Sequence, residues 1–199
     1  RVNGRVDGCP AMIGGSHGEV ISVCDIRVDP VAHRVVERRA RLVTTYGDRV
    51  TPDPAMQARV ERWNERVAAI GAEPVGRNTS RLTRTRGGES TVGNLVTDAM
   101  RAAVGADIAF QNSGGLRADL AEGAVTRGHI YEVMPFDNTI VTMDLPGAEV
   151  MRVLEDGLRT GRVTQVSGLR YAFDSRRPEM GRVTALEAED GTAFDTTRV

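Results

Sequence analysis

Eight residues near the middle of the chain, Phe110 to Arg117 (Phe-Gln-Asn-Ser-Gly-Gly-Leu-Arg), constrain the local fold most strongly. They follow a short apolar run, residues 106–109, that predicts a buried strand. Gly114 and Gly115 predict a sharp bend where backbone N–H groups can face a ligand, because no Cβ stands in the way. Arg117 adds a guanidinium fork, which suits a phosphate or carboxylate. Since strand–Gly-Gly turns are common in ordinary α/β proteins, the loop alone leaves an anion site and a plain strand-end turn both open.

Three further motifs accompany this loop in a set order. The segment from Glu89 reads Glu-Ser-Thr-Val-Gly-Asn-Leu, the segment from Met134 reads Met-Pro-Phe-Asp-Asn-Thr, and the segment from Val166 reads Val-Ser-Gly-Leu-Arg-Tyr. Together the stretch from Glu89 to Tyr171 resembles the C-terminal, substrate-binding domain of the 5′-nucleotidases. That family includes UDP-sugar hydrolases and 2′,3′-cyclic-nucleotide phosphodiesterases. Four ordered motifs make this resemblance more specific than any single one.

The resemblance implies which side chains contact the substrate. It assigns Asn112, Gly114, Gly115 and Arg117 to the loop that holds the phosphate or ribose. It assigns Phe136 to the ring that the family's Pro-Phe motif presents to the nucleobase. Such stacking accepts any base and contributes roughly 1–3 kcal/mol per base. Without the resemblance, a phenylalanine before Asp-Asn is usually a core residue.

A polar run over residues 77–88 carries arginines and no acidic residue. A run of this kind is usually a solvated loop; the functional alternative is that one or two of its guanidiniums bind a phosphate in bidentate fashion. In the resembled family, arginines shortly before the Gly-Asn motif bind the substrate phosphate. That implies Arg86 as the best-matching position and Arg84 as the second.

The charge balance excludes one broad class of protein. Arginine plus lysine number 26 against 27 acidic residues, for a formal charge of −1, and no lysine is present. All positive charge is therefore guanidinium, and a protein that coats nucleic acid would show a basic excess instead. No apolar run is long enough to span a bilayer. The two cysteines are too few for a disulfide scaffold, and Cys24, within an apolar strand pattern, is predicted to be a buried free thiol; a Cys9–Cys24 disulfide stays open for an exported protein.

The N-terminal residues 1–48 predict β structure. Residues 19–28 and 34–44 read as two strands that Asp29-Pro30 separates. This hairpin resembles the last strands of the family's N-terminal metallophosphoesterase domain. His17 lies in the preceding turn, residues 14–18, and has no second histidine at ligand spacing. We therefore expect His17 to be a turn residue and not a metal ligand.

Residues 49–76 predict a connector built on one helix. Thr51-Pro52-Asp53-Pro54 supplies the start and Gly71 the end. Apolar residues at helical spacing predict a packing face: Met56, Val60, Trp63, Val67 and Ile70. A helix joins the two domains of the resembled family, although a rigid packing helix would show the same pattern.

The C-terminal half predicts alternating helices and strands. Ser90 caps a helix that ends at Gly105, and Asn94 on it is expected either to pack against the Asn112 turn or to hydrogen-bond to its backbone. The stripe expected to be buried on that helix comprises Val92, Leu95, Val96, Met100 and Val104. The other predicted elements are a helical turn at residues 127–133, a strand at 138–145, a helix at 148–158 and a strand at 166–173.

These elements predict an α/β (α+β) fold, a mixed-sheet domain of the 5′-nucleotidase C-terminal type preceded by a β-hairpin and a connector helix. We expect residues 1–48 to be the tail of a metallophosphoesterase domain, 49–76 the connector, and 77–199 the substrate-binding domain. The family's later Gly-Gly-Asp-Gly motif is absent, so we expect this domain to be truncated at its C-terminus.

The resemblance implies the nucleotide-binding part of a metal-dependent phosphohydrolase that cleaves phosphate esters of nucleotides. It places two divalent metal ions and the catalytic residues outside this segment, so the segment alone is expected to bind and not hydrolyse. The implied partners are a nucleotide substrate and the metallophosphoesterase domain of the same chain, in an extracytoplasmic location. Two alternatives stay open: a non-catalytic nucleotide-binding or structural module, and the thiosulfohydrolase branch of the superfamily. Phe136 disfavours that branch, because a protein-borne sulfur group has no base to stack.

Overall fold

The computed structural model describes residues 2–6, 8–15, 18–45, 47 and 50–197, with the backbone alone at residues 2 and 3. The chain divides into two compact units, unit 1 at Arg1–Glu65 and unit 2 at Arg66–Val199. Helices and small antiparallel sheets are both present, which confirms the predicted α+β class. The domain boundaries after residues 48 and 76 stay predictions. His17 lies outside the described residues.

Unit 1 contains two antiparallel hairpins, and the second confirms the two predicted strands. Asp29 closes the tip of that hairpin, because its Oδ1 accepts hydrogen bonds from the N–H groups of Val31 at 2.9 Å and Ala32 at 3.0 Å. The pairs are β1 (Val2–Val6) with β2 (Cys9–Ile13), and β3 (Val20–Asp29) with β4 (Arg34–Thr44).

The apolar face of the β3–β4 hairpin is uncovered within the described residues. Cys24 lies opposite Ala40 on this face, and Ile26, two residues along, is 57% exposed. Cys9 and Cys24 are both exposed and free, so the predicted burial of Cys24 is wrong. Alternation along a strand identifies an apolar face but does not supply the layer that would cover it.

Helix α1 (Pro54–Gly71) confirms the predicted helix. Asp53 caps it, since its Oδ1 accepts the N–H of Met56 at 2.8 Å. The apolar stripe predicted as a packing face is not buried in the described chain. Each of its members is 50–59% exposed: Met56, Val60, Trp63, Val67 and Ile70.

Unit 2 begins within α1 and contains three further helices and six strands among its described residues. The strands pair antiparallel as β5 with β7, β6 with β8, and β9 with β10. In chain order the elements are β5 (Pro74–Asn78), α2 (Thr91–Val104), β6 (Ala109–Asn112), β7 (Gly123–Thr126), α3 (Arg127–Val133), α4 (Gly147–Arg159), β8 (Thr164–Ser167), β9 (Leu169–Phe173) and β10 (Val183–Ala188).

Helix α2 begins and ends as predicted, but its buried face is rotated from the predicted one. Ser90 Oγ accepts the N–H of Gly93 at 3.0 Å, and Gly105 ends the helix with a φ of 65°. Leu95 and Val104, expected to be buried, are 43% and 42% exposed. The buried residues are Val92, Gly93 and Thr97.

The rotation follows from close packing of α2 on β8. A Cβ added at Gly93 would lie 2.5 Å from Cγ of Gln165 on β8, so only glycine allows this approach. Thr97 Oγ1 donates to a β8 carbonyl oxygen at 3.1 Å. Small and polar residues thus form this contact, and a purely apolar pattern does not identify them.

Unit 2 holds two clusters of buried apolar residues. In the first, Leu116 is 0% exposed and anchors the loop that follows β6. In the second, Leu154 of α4 is 0% exposed and packs against β9. The first cluster comprises Val92, Leu116, Leu120, Val125 and Val133, and the second comprises Val150, Leu154 and Leu169.

Three predicted strands differ from the observed ones. The strand expected at 106–109 begins later, as β6. The strand predicted at 138–145 is wrong, because that segment has no regular structure and its Val141 and Met143 are 71% and 66% exposed. The strand expected at 166–173 is broken into β8 and β9 by Gly168, whose φ is 85° and whose added Cβ would meet the carbonyl oxygen of Asp107.

Candidate functional site

The candidate site is built on the turn that follows β6. The turn closes when the N–H of Gly115 donates to the carbonyl oxygen of Asn112 at 2.9 Å. A Cβ added at Gly115 would meet Nε2 of Gln111 and would lie 3.2 Å from Oδ1 of Asn112, so a larger residue there would have to displace the end of the Gln111 side chain. Ser113 is 0% exposed, whereas Asn112 beside it is exposed. The turn therefore presents Asn112 outward from a rigid base.

Arg117 links the turn to the predicted base-stacking ring. Its Nη1 donates to the carbonyl oxygen of Gly114 at 3.4 Å, and its backbone N–H donates to Val133 at 2.9 Å. Its Cζ lies 5.9 Å from the centroid of the Phe136 ring, within cation–π range. Phe136 is 49% exposed. The structure thus brings Arg117 and a half-exposed Phe136 together beside the turn, while their contact with a ligand stays a prediction.

Arg84 is held against the same loop by its side chain. Its Nη1 donates to the carbonyl oxygen of Leu116 at 3.1 Å, and its backbone N–H donates to Asp119 at 2.9 Å. This backbone hydrogen bond, followed by the Arg81 guanidinium at 2.7 Å, lowers the pKa of the Asp119 carboxyl below its ordinary value. Asp119 therefore stays ionised and fixes the position of the arginine run.

Arg86 is fixed through its backbone, and its side chain is exposed. The Arg86 carbonyl oxygen accepts the N–H of Val163 at 2.8 Å and the hydroxyl of Ser113 at 3.4 Å. Within the described residues, no carboxylate forms an ion pair with Arg84, Arg86 or Arg117. Arg84 also acts on the Asp119 carboxyl and helps to lower its pKa. Arg86 and Arg117 are therefore the exposed arginines without an ion-pair partner among the described carboxylates, and their charge favours an anion.

Gln165 on β8 holds the arginine loop in place, and no sequence motif singles it out. Gln165 is 2% exposed. Its Oε1 accepts the N–H of Ser90 at 2.9 Å, while its Nε2 donates to the carbonyl oxygens of Gly88 at 3.0 Å and Val163 at 3.2 Å. One buried amide therefore connects the end of the 77–88 run, the start of α2 and the start of β8.

Arg162 is a further residue near the turn that the sequence patterns miss. Its Nη1 would lie 3.5 Å from a Cβ added at Gly114. The two residues are 48 positions apart in the sequence, and only the pairing of β6 with β8 brings them together. A prediction of that pairing is the one signal that could have found Arg162.

Among the described contacts, Asn94 makes no hydrogen bond to the backbone of the Asn112 turn. Its Nδ2 donates to Glu89 at 2.8 Å, so both residues stabilise the start of α2. Both line a cavity of about 590 Å³ between α2, β8 and β9, which also includes Asp98 and Tyr171. Burial raises the pKa of the Tyr171 hydroxyl to about 12. None of the predicted substrate-binding residues lines this cavity.

A resident metal pair does not fit the described part of the chain. No group of three or more His, Cys, Asp or Glu side chains lies close enough there to hold a metal ion. The assignment of His17 stays a prediction, because His17 is not described. None of the helices in the described part combines the length and hydropathy that a bilayer crossing needs.

Comparison with protein families identifies the C-terminal two thirds of the chain. The family model described as "5'-nucleotidase, C-terminal domain" matches residues 67–199. Endonuclease YhcR of Bacillus subtilis is 28% identical over 195 residues, which are 96% of this chain and 16% of that protein. The 5'-nucleotidase of Diplobatis ommata is 30% identical over 160 residues, which are 69% of this chain and 28% of that protein. The chain thus spans less than a third of either relative.

Solved structures agree with the family match. The 5'-nucleotidase precursor from Thermus thermophilus superposes with a TM-score of 0.72 and 33% identity, over 90% of this chain and 38% of that one. The sulfate thiohydrolase SoxB from Thermus thermophilus superposes with a TM-score of 0.71 over 98% of this chain and 38% of that one. Its 22% identity shows a shared fold alone.

Proposed function

The chain belongs to the 5′-nucleotidase family, and from that premise we propose that it is the nucleotide-binding part of a metal-dependent phosphohydrolase that cleaves phosphate esters of nucleotides. One observation carries the proposal: Arg117 lies between the carbonyl oxygen of Gly114 and the half-exposed ring of Phe136. A single guanidinium there can bind an anion while the ring beside it stacks on a base.

The charge around the turn supports phosphate as the anion. Arg84, Arg86 and Arg117 form no ion pair with a carboxylate among the described residues. Guanidinium forks match phosphate oxygens in bidentate geometry, and hydrogen bonds between charged groups are roughly twice as strong as neutral ones. The exposed amide of Asn112 supplies a further donor for the phosphate or the ribose. Gly114 and Gly115 keep the backbone close enough for such contacts.

The exposure of Phe136 supports the stacking role. The ring is 49% exposed, although an aromatic side chain of this size gains much by burial. Arg117 lies 5.9 Å from its centroid, so the exposed ring and the guanidinium are neighbours. A nucleobase would stack on the exposed part of this ring.

We propose that this chain binds the nucleotide and that a separate metal site carries out the hydrolysis. A two-metal site would activate water for attack on the phosphate ester. The described residues do not form such a site, and we place the two divalent ions on a metallophosphoesterase domain of the same protein, outside this chain. Residues 77–199 would bind the nucleotide, residues 49–76 would connect the domains, and residues 1–48 would complete the metallophosphoesterase domain. On this view the present chain binds nucleotides and does not hydrolyse them.

An extracytoplasmic location is part of the proposal. The relative Lmo0130 of Listeria monocytogenes, 29% identical over 177 residues, is named a cell wall protein. An NAD 5'-nucleotidase of Haemophilus influenzae, 36% identical over 89 residues, supports a nucleotide as the substrate class.

Binding of AMP, adenosine and inorganic phosphate to the 199-residue chain, measured by calorimetry, tests the proposal. Phe136→Ala should weaken AMP binding about 5- to 150-fold, the equivalent of one stacked base, and leave phosphate binding nearly unchanged. Tyr131→Ala is the matched control, because Tyr131 is an exposed aromatic residue of α3 that is 68% exposed. Equal loss of AMP and phosphate affinity in Phe136→Ala, or loss of neither, would contradict the stacking role.

The thiosulfohydrolase branch is the second candidate, which the sequence analysis leaves open; SoxB shares the fold over 98% of this chain. The same titration separates the two candidates. A chain that binds thiosulfate and shows no preference for AMP over phosphate would favour this branch, since no base would then contribute to binding.

A further inference from the structure

The pairing of β6 with β8 places Arg162 opposite the predicted phosphate loop. The register sets Asn112 opposite Thr164 in this antiparallel pair. Continued by two residues beyond the end of β6, the same register sets Gly114 opposite Arg162.

The side-chain positions confirm the approach. A Cβ added at Gly114 would lie 3.2 Å from Nδ2 of Asn112 and 3.5 Å from Nη1 of Arg162. Two N–H donors thus lie within 3.5 Å of one point. Arg117 Nη1 lies 3.4 Å from the carbonyl oxygen of the same glycine. The absence of a side chain at Gly114 therefore leaves open a space bordered by the Asn112 amide and the Arg162 guanidinium, while Arg117 contacts the carbonyl oxygen of the same glycine.

The backbone around Arg162 is held in place from both sides. The N–H of Arg162 donates to Gly157 at 3.2 Å, and Gly161 adopts a φ of 68° to end α4. The next N–H, that of Val163, donates to the carbonyl oxygen of Arg86 at 2.8 Å. The start of β8 and the arginine loop are thus joined directly beside Arg162.

The guanidinium of Arg162 has no carboxylate partner among the described residues, unlike those of its neighbours on α4. Arg152 pairs with Glu149 at 2.8 Å, and Arg159 pairs with Asp156 at 3.3 Å. An arginine on a fixed backbone, exposed and aimed at a glycine beside other donors, has the features of an anion ligand.

We propose that Arg162 is a further oxyanion-binding residue, which with Arg117 and Asn112 grips a tetrahedral oxyanion over Gly114. This inference rests on the proposed function for the location of the ligand, but it concerns a different side chain and a different part of the ligand. Arg117 contacts Phe136, whereas Arg162 enters across Gly114 from β8. Arg162 therefore binds the phosphoryl end of a nucleotide and makes no contribution to the base. A sulfur oxyanion offers the same tetrahedral chemistry.

The test compares Arg162→Ala and Arg162→Lys in the 199-residue chain with the control Arg159→Ala, whose arginine is already paired. The probes are inorganic phosphate, AMP, adenosine and thiosulfate. Loss of one charge-assisted contact should weaken phosphate and AMP binding by the same factor, about tenfold or more, in Arg162→Ala. Adenosine binding should not change, and lysine should restore part of the loss, because it keeps the charge without the fork. Arg159→Ala should bind all probes like the wild type.

Unchanged phosphate and AMP affinity in folded Arg162→Ala would overturn the inference, while the Phe136→Ala result would still decide the proposed function. Conversely, a wild-type chain that binds phosphate without preference for AMP would refute nucleotide recognition, and a phosphate loss in Arg162→Ala would still support the oxyanion role. A larger loss for thiosulfate than for phosphate would identify a sulfur oxyanion as the ligand. A wild-type chain that binds none of the oxyanions would refute the role of Arg162. If the alanine variant does not fold, Arg162→Gln, which keeps more of the side chain, decides between these outcomes.

Discussion

Replacement of Gln165 by methionine should destabilise unit 2 out of proportion to the change in shape. Methionine keeps the length and nearly the volume of glutamine, so no cavity opens. The change removes the acceptor of the Ser90 N–H and the donor to the carbonyl oxygens of Gly88 and Val163. Ser90 is 0% exposed, so water cannot replace the lost acceptor.

The expected cost follows from these three contacts. Each hydrogen bond contributes about 1 kcal/mol net, and a buried donor left without a partner costs about 1–3 kcal/mol, so we expect a loss of about 2–4 kcal/mol. Urea denaturation followed by circular dichroism measures this loss, which corresponds to a Tm roughly 10 °C lower. Hydrogen exchange at the Ser90 amide should accelerate in Gln165→Met, because that amide loses its acceptor.

Gln57→Met on α1 is the matched control, since Gln57 is exposed and bonds only to Glu61, at 2.9 Å, among the contacts described for its side chain. This control should change the free energy of unfolding by no more than about 0.5 kcal/mol. If Gln165→Met behaves like the control, Gln165 does not hold the arginine loop in place, and the reasoning is refuted.

Two further predictions concern the titration of the loop and the division of labour. The pKa of Asp119 should lie below its ordinary value. The ionised Asp119 carboxylate therefore stabilises the fold fully above the unfolded-state pKa of about 4, and this stabilisation is lost as the pH falls through the folded-state pKa. Arg81→Ala should raise this pKa only in part, because the Arg84 backbone N–H is the larger cause; carboxyl NMR titration measures it, and a complete return to the ordinary value would contradict the assignment. Purified with excess Mn²⁺ or Zn²⁺, the chain should release no phosphate from AMP above background, and metal-dependent turnover that survives repurification would refute the placement of the catalytic metals outside it.

The sequence predicted those helices and strands whose ends are marked by local signals, such as a capping side chain, a glycine or a proline. Helix α2 begins at Ser90 and ends at Gly105 as expected, because a side-chain cap and a left-handed glycine act within one turn of the helix. The β3–β4 hairpin was predictable for a similar reason, since alternation and the Asp29-Pro30 break are local. The adjacency of Asn112 and Arg117 across a short bend is local too.

Burial was less predictable than secondary structure, because it depends on what the rest of the chain supplies. Cys24 has the alternation of a covered strand and is exposed. Val141 lies in a segment patterned like a strand and has no partner strand among the described residues. Leu95 faces outward because α2 approaches β8 through Gly93, a choice made by packing and not by hydrophobicity.

The sequence by itself determined the family, the four helices, the β3–β4 hairpin, and the proposed central residues of the candidate site, namely Asn112, Arg117 and Phe136. Tertiary structure alone brought Gln165 and Arg162 to the same place. Both reach the site through the antiparallel register of β6 and β8, whose strands are separated by 51 residues from the end of one to the start of the other. Pairing between such distant strands depends on the packing of everything in between, which no local pattern of residues records.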